Sequence, residues 1–366
     1  MLRLAFAFLL LIHGLVHLMG FVKGFKYAEI SQLVQPISKS AGAAWLMAAL
    51  FFTGAAVLFL LKKDSWWMIA ALAVVWSQIL LFNNWQDAKF GTILNAIALV
   101  GIVLGYGNWS FQSMIQRELK AFQTASVPGK MLRPEMLAPL PPVVRAWLEH
   151  SNVIGKEIVQ TVHLQQTGQM KTKPDGSWIP FEAEQYFTVN PPGFLWTTNI
   201  QAAPMIHIAG RDKYEDGHGS MLIKLLSLYP LADAKGPETD QGTLLRYLAE
   251  TCWFPSAALS EYIQWEPIDS LSARATMRYG GVTASGIFRF NADGDLQSFE
   301  AKRYYDRKEG ATLENWQIQN HAWKDMNDIR IAYKSDVTWK LEAGDYTWLK
   351  LELNAIEYNV KSIPGH

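Results

Sequence analysis

His13 and His17 stand four residues apart within the apolar run Leu4–Val22. On a helix that spacing puts both imidazoles on one face. They could offer two nitrogen ligands to a metal, with Asp87 or another carboxylate completing the set. Two rings one turn apart cannot be the opposed axial ligands of a single haem. The other use of the pair is as neutral rings hydrogen-bonded to neighbouring helices near one end of a bundle. A second group gathers later in the chain, where Glu238, Asp240 and Glu250 surround Arg246. Arg246 and Glu250 are spaced for an i,i+4 ion pair, and acids at 238 and 240 suit a helix N-terminus. Capping and surface pairing describe this group best. His207 and His218 flank a hairpin with Asp212, Glu215 and Asp216, which reads as a charged turn or a metal site. If the later half of the chain encloses a pocket, Tyr247, Trp253, Phe254, Trp265 and Arg303 are candidates for its wall, with Asp240 and Glu250 as polar contacts. The same aromatic residues could equally fill a core.

Recognisable catalytic patterns are missing. The sequence contains no Gly-rich phosphate loop, no Gly-x-Ser-x-Gly elbow, no His-Glu-x-x-His pair and no dinucleotide fingerprint. A single cysteine, Cys252, excludes an intramolecular disulfide framework and any Cys-rich metal cluster. No cofactor and no reaction are expected from these residues.

The elements that must position these groups fall into two unlike halves. The formal net charge is +0 over 366 residues, with 33 basic and 33 acidic side chains. Residues 1–107 hold only seven of the basic and three of the acidic ones. The zero therefore joins a sparse, slightly basic half to a slightly acidic one, which argues against a basic nucleic-acid binder. Within the first half, Leu4–Val22, Ala41–Leu61, Trp66–Phe82 and Thr92–Tyr106 are apolar runs. About 20 apolar residues cross a bilayer as a helix, so four spans are expected. The last is short and contains Asn95, Gly101 and Gly105, which could face neighbouring helices. The first run lacks a clear signal-peptide cleavage site and reads as an uncleaved span. Trp66, Trp67, Trp85, Tyr106 and Trp109 fall at span ends, where amphipathic rings suit the headgroup region. Five Lys/Arg flank the spans on one side and four on the other. That count favours an inner-membrane protein with both ends cytoplasmic.

Residues 108–136 form a linker. Phe111, Met114, Ile115, Leu119 and Phe122 make a helical stripe, fitting a helix on the membrane, a continuation of the fourth span, or a helix packed on the next domain. Pro139, Pro141 and Pro142 mark a boundary, and a short helix runs to His150. From Glu157 onward, β-branched and aromatic residues alternate between turn signals such as Lys173-Pro174-Asp175-Gly176, Gly280-Gly281 and Asp293-Gly294. One helix interrupts the strands, capped by Thr239 or Asp240 and carrying Leu244, Leu245, Tyr247 and Leu248 on its apolar face. The expected architecture is a membrane α-helical bundle of four spans (1–107). After it comes an α+β, mostly antiparallel β domain (137–360): a curved sheet or half-barrel with an inserted helix. Residues 361–366 are a tail.

Several segments carry a family resemblance. They are Leu140-Pro141-Pro142-Val143-Val144-Arg145, Trp178-Ile179-Pro180-Phe181, Asn190-Pro191-Pro192-Gly193-Phe194, Gly236 to Gly242, Trp253-Phe254-Pro255 and Ala273-Arg274-Ala275-Thr276. Together they resemble an uncharacterised bacterial family, a domain of unknown function that in some members follows a multi-span segment. A weaker likeness is to the lipoprotein-localisation half-barrel, whose concave face holds acyl chains, carried by Ile329–Tyr333 running into Val337-Thr338-Trp339. That likeness implies a membrane-held module that binds an apolar or amphiphilic ligand, such as a lipid, near the bilayer. Two alternatives stand beside it: a metal or redox protein built on His13 and His17, and a non-catalytic envelope scaffold. The expected partners are the bilayer and an apolar ligand, with no nucleic acid. Protein partners are not indicated.

Overall fold

The structure is a computed structural model and describes residues 2–122, 129–203, 206–306 and 310–360. The chain divides into two compact units, Met1–Gln112 and Ser113–His366.

In the first unit the helices are α1 (Leu2–Gly24), α2 (Lys39–Leu60), α3 (Trp66–Asn83), the single turn α4 (Trp85–Ala88) and α5 (Gly91–Ala121). Among the described residues α1, α2, α3 and α5 are long and apolar enough to cross a membrane. Large side chains such as Leu4, Phe8, Val75, Phe82 and Val100 point outward and exposed. Leu10, Phe52, Ala70, Ala98 and Ile102 pack inward. An exterior this apolar is stable against hydrocarbon rather than water. Helix α5 continues to Ala121, one of the readings open for the stripe after Tyr106. Gly101 and Gly105 face neighbouring helices, as expected, and make room for rings. A Cβ on Gly101 would lie 2.3 Å from Phe6 Cζ, and one on Gly105 would lie 2.3 Å from Trp66 Cζ2.

The second unit opens with the last turns of α5 and the short helix α6 (Pro142–His150), then a sheet. Its first arm is β1 (Thr161–Met170), β2 (Ile179–Thr188), β3 (Gly193–Ala203), β4 (Ile206–Glu215), β5 (His218–Leu225) and β6 (Tyr229–Lys235). Helix α7 (Pro237–Glu250) and two 3-10 turns, Thr251–Trp253 and Pro255–Leu259, follow. The second arm is β7 (Ile263–Asp269), β8 (Ser272–Tyr279), β9 (Val282–Phe290), β10 (Leu296–Tyr305), β11 (Thr312–Met326), β12 (Ile329–Leu341) and β13 (Gly344–Tyr358). The described strands make one sheet of thirteen in the order β6-β5-β4-β3-β2-β1-β13-β12-β11-β10-β9-β8-β7. Every neighbouring pair is antiparallel.

The sheet curls into a half-barrel around α7, which packs against strands of both arms: β4, β5 and β6 on one side, β8, β9 and β10 on the other. The arms meet at two hairpin tips. A Cβ on Gly217 (φ 84°) would lie 2.7 Å from Gly280 Cα, and Gly280 itself has φ 59°. Only glycine serves at both points, because each combines a left-handed backbone with backbone-to-backbone contact. The core lies where β1 begins and β2 ends, with Val162, Phe187, Phe194, Leu244, Leu248 and Phe254 together. Trp147 of α6 stacks at 5.6 Å on Phe290 and 6.0 Å on Phe288.

Candidate functional site

In the helical unit His13 and His17 are both buried, at 1% exposure each. His17 Nδ1 lies 2.8 Å from the His13 carbonyl, which can only accept, so Nδ1 carries the proton. Nε2 of the neutral ring then accepts from the Ser77 hydroxyl at 2.9 Å. Asn95 Nδ2 donates to Ser77 Oγ and to Gln78 Oε1, both at 3.0 Å. Asn95 Oδ1 accepts from His13 Nε2 at 2.8 Å. Gln78 in turn donates to Thr92 at 3.1 Å. The pair thus ties α1 to α3 and α5 through a directed chain of neutral bonds, leaving His13 Nδ1 buried without a partner. Among the described residues no third His, Cys, Asp or Glu joins them. Asp87 instead accepts the backbone N–H of Gln35 at 2.7 Å.

In the second unit a cavity of about 210 Å³ opens between the sheet and α7, bordered by the core residues Trp253, Trp316 and Val337. Phe181, Trp196, Ile200, Ile208, Met221 and Leu349 are among its apolar walls. Strand alternation explains the placement. On β2 the inward positions run Phe181, Ala183, Gln185, Phe187, and on β10 they run Phe299, Ala301, Arg303, Tyr305. Each strand therefore carries one polar side chain in an otherwise apolar inward row.

Those polar interruptions converge at the cavity floor. Arg246 Nη1 donates to Asp212 Oδ2 and Arg246 Nε to Glu250 Oε1, each at 2.7 Å. Gln185 Nε2 donates to Glu250 Oε2 at 2.8 Å. The Arg246 guanidinium also stacks 5.0 Å from the Phe194 ring and 5.2 Å from Trp196. Burial alone would lower the Arg246 pKa, but its two carboxylates outweigh that and raise it. Burial pushes Glu250 up, against the pull of Arg246 and Gln185. Next to them Arg211 lies 3.2 Å from Glu118 near the end of α5 and donates to the Ser220 carbonyl at 2.8 Å. Lys213 reaches the same Glu118 at 3.4 Å. Cys252 also lines the cavity, where burial raises its thiol far above the usual range, so it is not a ready nucleophile.

The candidate wall residues divide. Trp253, Arg303 and Glu250 line the cavity. Tyr247 and Phe254 lie in the core at 1% and 0% exposure, with Tyr247 donating to the Thr188 carbonyl at 3.0 Å. Trp265 stacks on Phe288 at 4.9 Å, and its indole donates to the Ala258 carbonyl. Asp240 does not cap α7, whose N-cap is Gly236. Its Oδ1 accepts the Gly219 N–H at 2.6 Å, pinning the helix to β5. The Arg246–Glu250 pair expected at the surface is nearly enclosed, with side chains 17% and 9% exposed. The helix fills a concave sheet, so two of its faces are interior. His207 and His218 do not meet: His207 bonds Ser227 at 3.0 Å, and His218 pairs with Asp240 at 3.6 Å. Arg246, Asp212 and Gln185 were not among the wall candidates. For Asp212 and Gln185 the signal is a polar residue at an inward strand position, visible only once register is known, and for Arg246 it is a helix face that meets the sheet.

No curated protein matches the sequence. A solved LolA-superfamily protein of Nitrosomonas europaea is similar at 10% identity, covering 60% of this chain and 94% of that one, with a TM-score of 0.35. A DUF1329-family protein of Desulfovibrio piger is similar at 10% identity, covering 62% and 95%, also with a TM-score of 0.35. Over residues 130–351 the sequence matches the model of a family of unknown function, DUF6544, and with more than half of its length so matched the chain belongs to that family.

Proposed function

We propose that the β-rich unit is a binding module for an apolar or amphiphilic molecule, carried on a chain that its four long helices anchor in a bilayer. The observation that carries this reading is the hollow between the sheet and α7 in an otherwise filled half-barrel. Sheets that need only stability fill such space, because an empty apolar cavity loses dispersion contacts on every side. An apolar cavity of about 150 Å³ is known to take up benzene. About 210 Å³ therefore accommodates one ring system or a stretch of a single acyl chain. Each methylene removed from water contributes about 0.8 kcal/mol, so a short stretch of chain supplies several kcal/mol before the costs of association. Apolar walls beside an internally paired charge cluster are the composition of a preformed ligand pocket.

Binding of 1-dodecanol to the full chain in lipid nanodiscs, measured by calorimetry against empty nanodiscs, tests the reading. Ile208→Trp puts an indole into the cavity and is expected to weaken dodecanol binding at least tenfold while the protein stays folded. Equal heats from empty and loaded nanodiscs, or an unchanged affinity in the variant, would reject the cavity as a ligand site.

A further inference from the structure

Three arginines stand around this cavity, and two are ion-paired. Arg246 is held by Asp212 and Glu250, and Arg211 by Glu118 and Ser220. The third, Arg303, projects from an inward position of β10 into the lining. Among the described residues it makes no hydrogen bond and no ion pair. Its guanidinium instead lies 4.7 Å from the Trp316 ring centroid and 5.9 Å from that of Trp339. Gly242 of α7 lies over it, where a Cβ would come within 3.5 Å of Nε. The cation sits deep enough that burial lowers its pKa to about 10. Asp212 and Glu250 are near enough to favour its charge, yet both are already bonded at 2.7 Å to Arg246.

A guanidinium has five N–H donors in a rigid fork that matches a carboxylate or phosphate edge. Arg303 is half-buried, and a half-buried cation that opens on a cavity keeps its donors free for what the cavity holds. Indole faces orient such a group and lower the cost of its burial without occupying its donors.

We propose that Arg303 is the head-group receptor of the cavity, so that the preferred ligand is a single-chain amphiphile ending in a carboxylate or phosphate. The inference rests on the cavity being a ligand site and adds the polarity and charge of the ligand. The chain lies among Phe181, Ile200, Ile208 and Leu349, and the head lies in the Arg303 fork beside Trp316. Neutral amphiphiles of equal length bind through the walls alone.

The test uses the full chain in nanodiscs of zwitterionic lipid, with dodecanoate, dodecyl phosphate and 1-dodecanol titrated in parallel. The expected result is at least tenfold tighter binding of one or both anions than of the alcohol. The tighter of the two identifies a carboxylate or a phosphate head. Arg303→Gln is expected to abolish that preference, so that the ratio of anion to dodecanol affinity in the same variant falls to about one. Arg303→Lys, which keeps the charge and loses the fork, is expected to retain only part of it. Equal affinity of acid and alcohol in the unsubstituted protein overturns the inference and leaves the apolar site standing. So does an anion preference that survives Arg303→Gln. Absence of binding by all three ligands overturns the cavity reading and the inference with it. If Arg303→Gln is unfolded by circular dichroism, the Arg303→Lys arm decides: an undiminished anion preference there counts against a fork-shaped receptor.

Discussion

A single guanidinium shows how the floor of the cavity is held. Arg246 is the only described cation bonded to Asp212 and Glu250, and it reaches both from one side chain. Removing one member of a buried ionic group leaves the others charged and unsolvated, which costs about 3–5 kcal/mol. Arg246→Met is therefore expected to lower the free energy of unfolding by about that much, read from denaturant midpoints. Loss of less than about 1 kcal/mol would mean that the carboxylates are solvated. At this scale the sequence was only half legible. The i,i+4 spacing of Arg246 and Glu250 was plain, but spacing says nothing about whether a helix face meets water or a second sheet arm. Trp253 lines the cavity and Phe254 fills the core, although they are adjacent and chemically alike. A 3-10 turn, not a hydropathy pattern, separates their directions.

Elements differ in how openly the chain announces them. Alternation and turn residues mark the strands well, because one sheet face is apolar along much of its length. Helix α5 is harder to read: its glycines were expected to face neighbouring helices, and they accept rings from α1 and α3, but nothing in the sequence alone marked where the helix ends. Tethers between elements are not visible at all before folding. His150 of α6, Asp295 at the turn into β10 and Arg330 of β12 come together, with Arg330 Nε 2.8 Å and Nη2 3.1 Å from the carboxylate and His150 3.1 Å away. Burial would raise the Asp295 pKa, but the hydrogen bonds and charge of Arg330 outweigh it and hold the carboxyl below its ordinary value. A depressed folded pKa stabilises the fold above the usual carboxylate range, and that contribution is lost as pH falls through the folded value. Arg330 is a third exposed, so screening limits the effect to about 1 kcal/mol. Asp295→Asn is expected to be less stable than the unsubstituted protein at neutral pH and to converge with it as the pH falls through the lowered folded value. Denaturant midpoints across that interval decide it, and parallel curves would remove Asp295 from the acid limb.

At the scale of the whole chain, the two units obey different solvents. The first unit turns leucine, valine and phenylalanine outward and its long helices are apolar enough to cross a membrane, whereas the second shows a mixed polar surface. This division was legible from charge distribution alone. The five-to-four excess of flanking Lys/Arg sets an expectation of a cytoplasmic C-terminus. A phosphatase–fluorescent protein reporter pair fused to the C-terminus is expected to give fluorescence without phosphatase activity. The reverse pattern would place the β-rich unit on the outer face.

The strand order has a consequence for how the protein is made. The chain lays strands outward from the middle of the sheet to one edge, crosses on α7, and returns from the far edge to the middle. Its first strand and its last are therefore next-door neighbours, paired from Val162–Tyr358 to Met170–Leu349. Each arm is a meander that can zip up locally as it emerges. The seam between the arms waits for β13, and until then β1 and β12 each present a bare row of peptide groups, the kind of edge on which chains pair wrongly. The sheet is thus sealed by β13, the last of its described strands to be made.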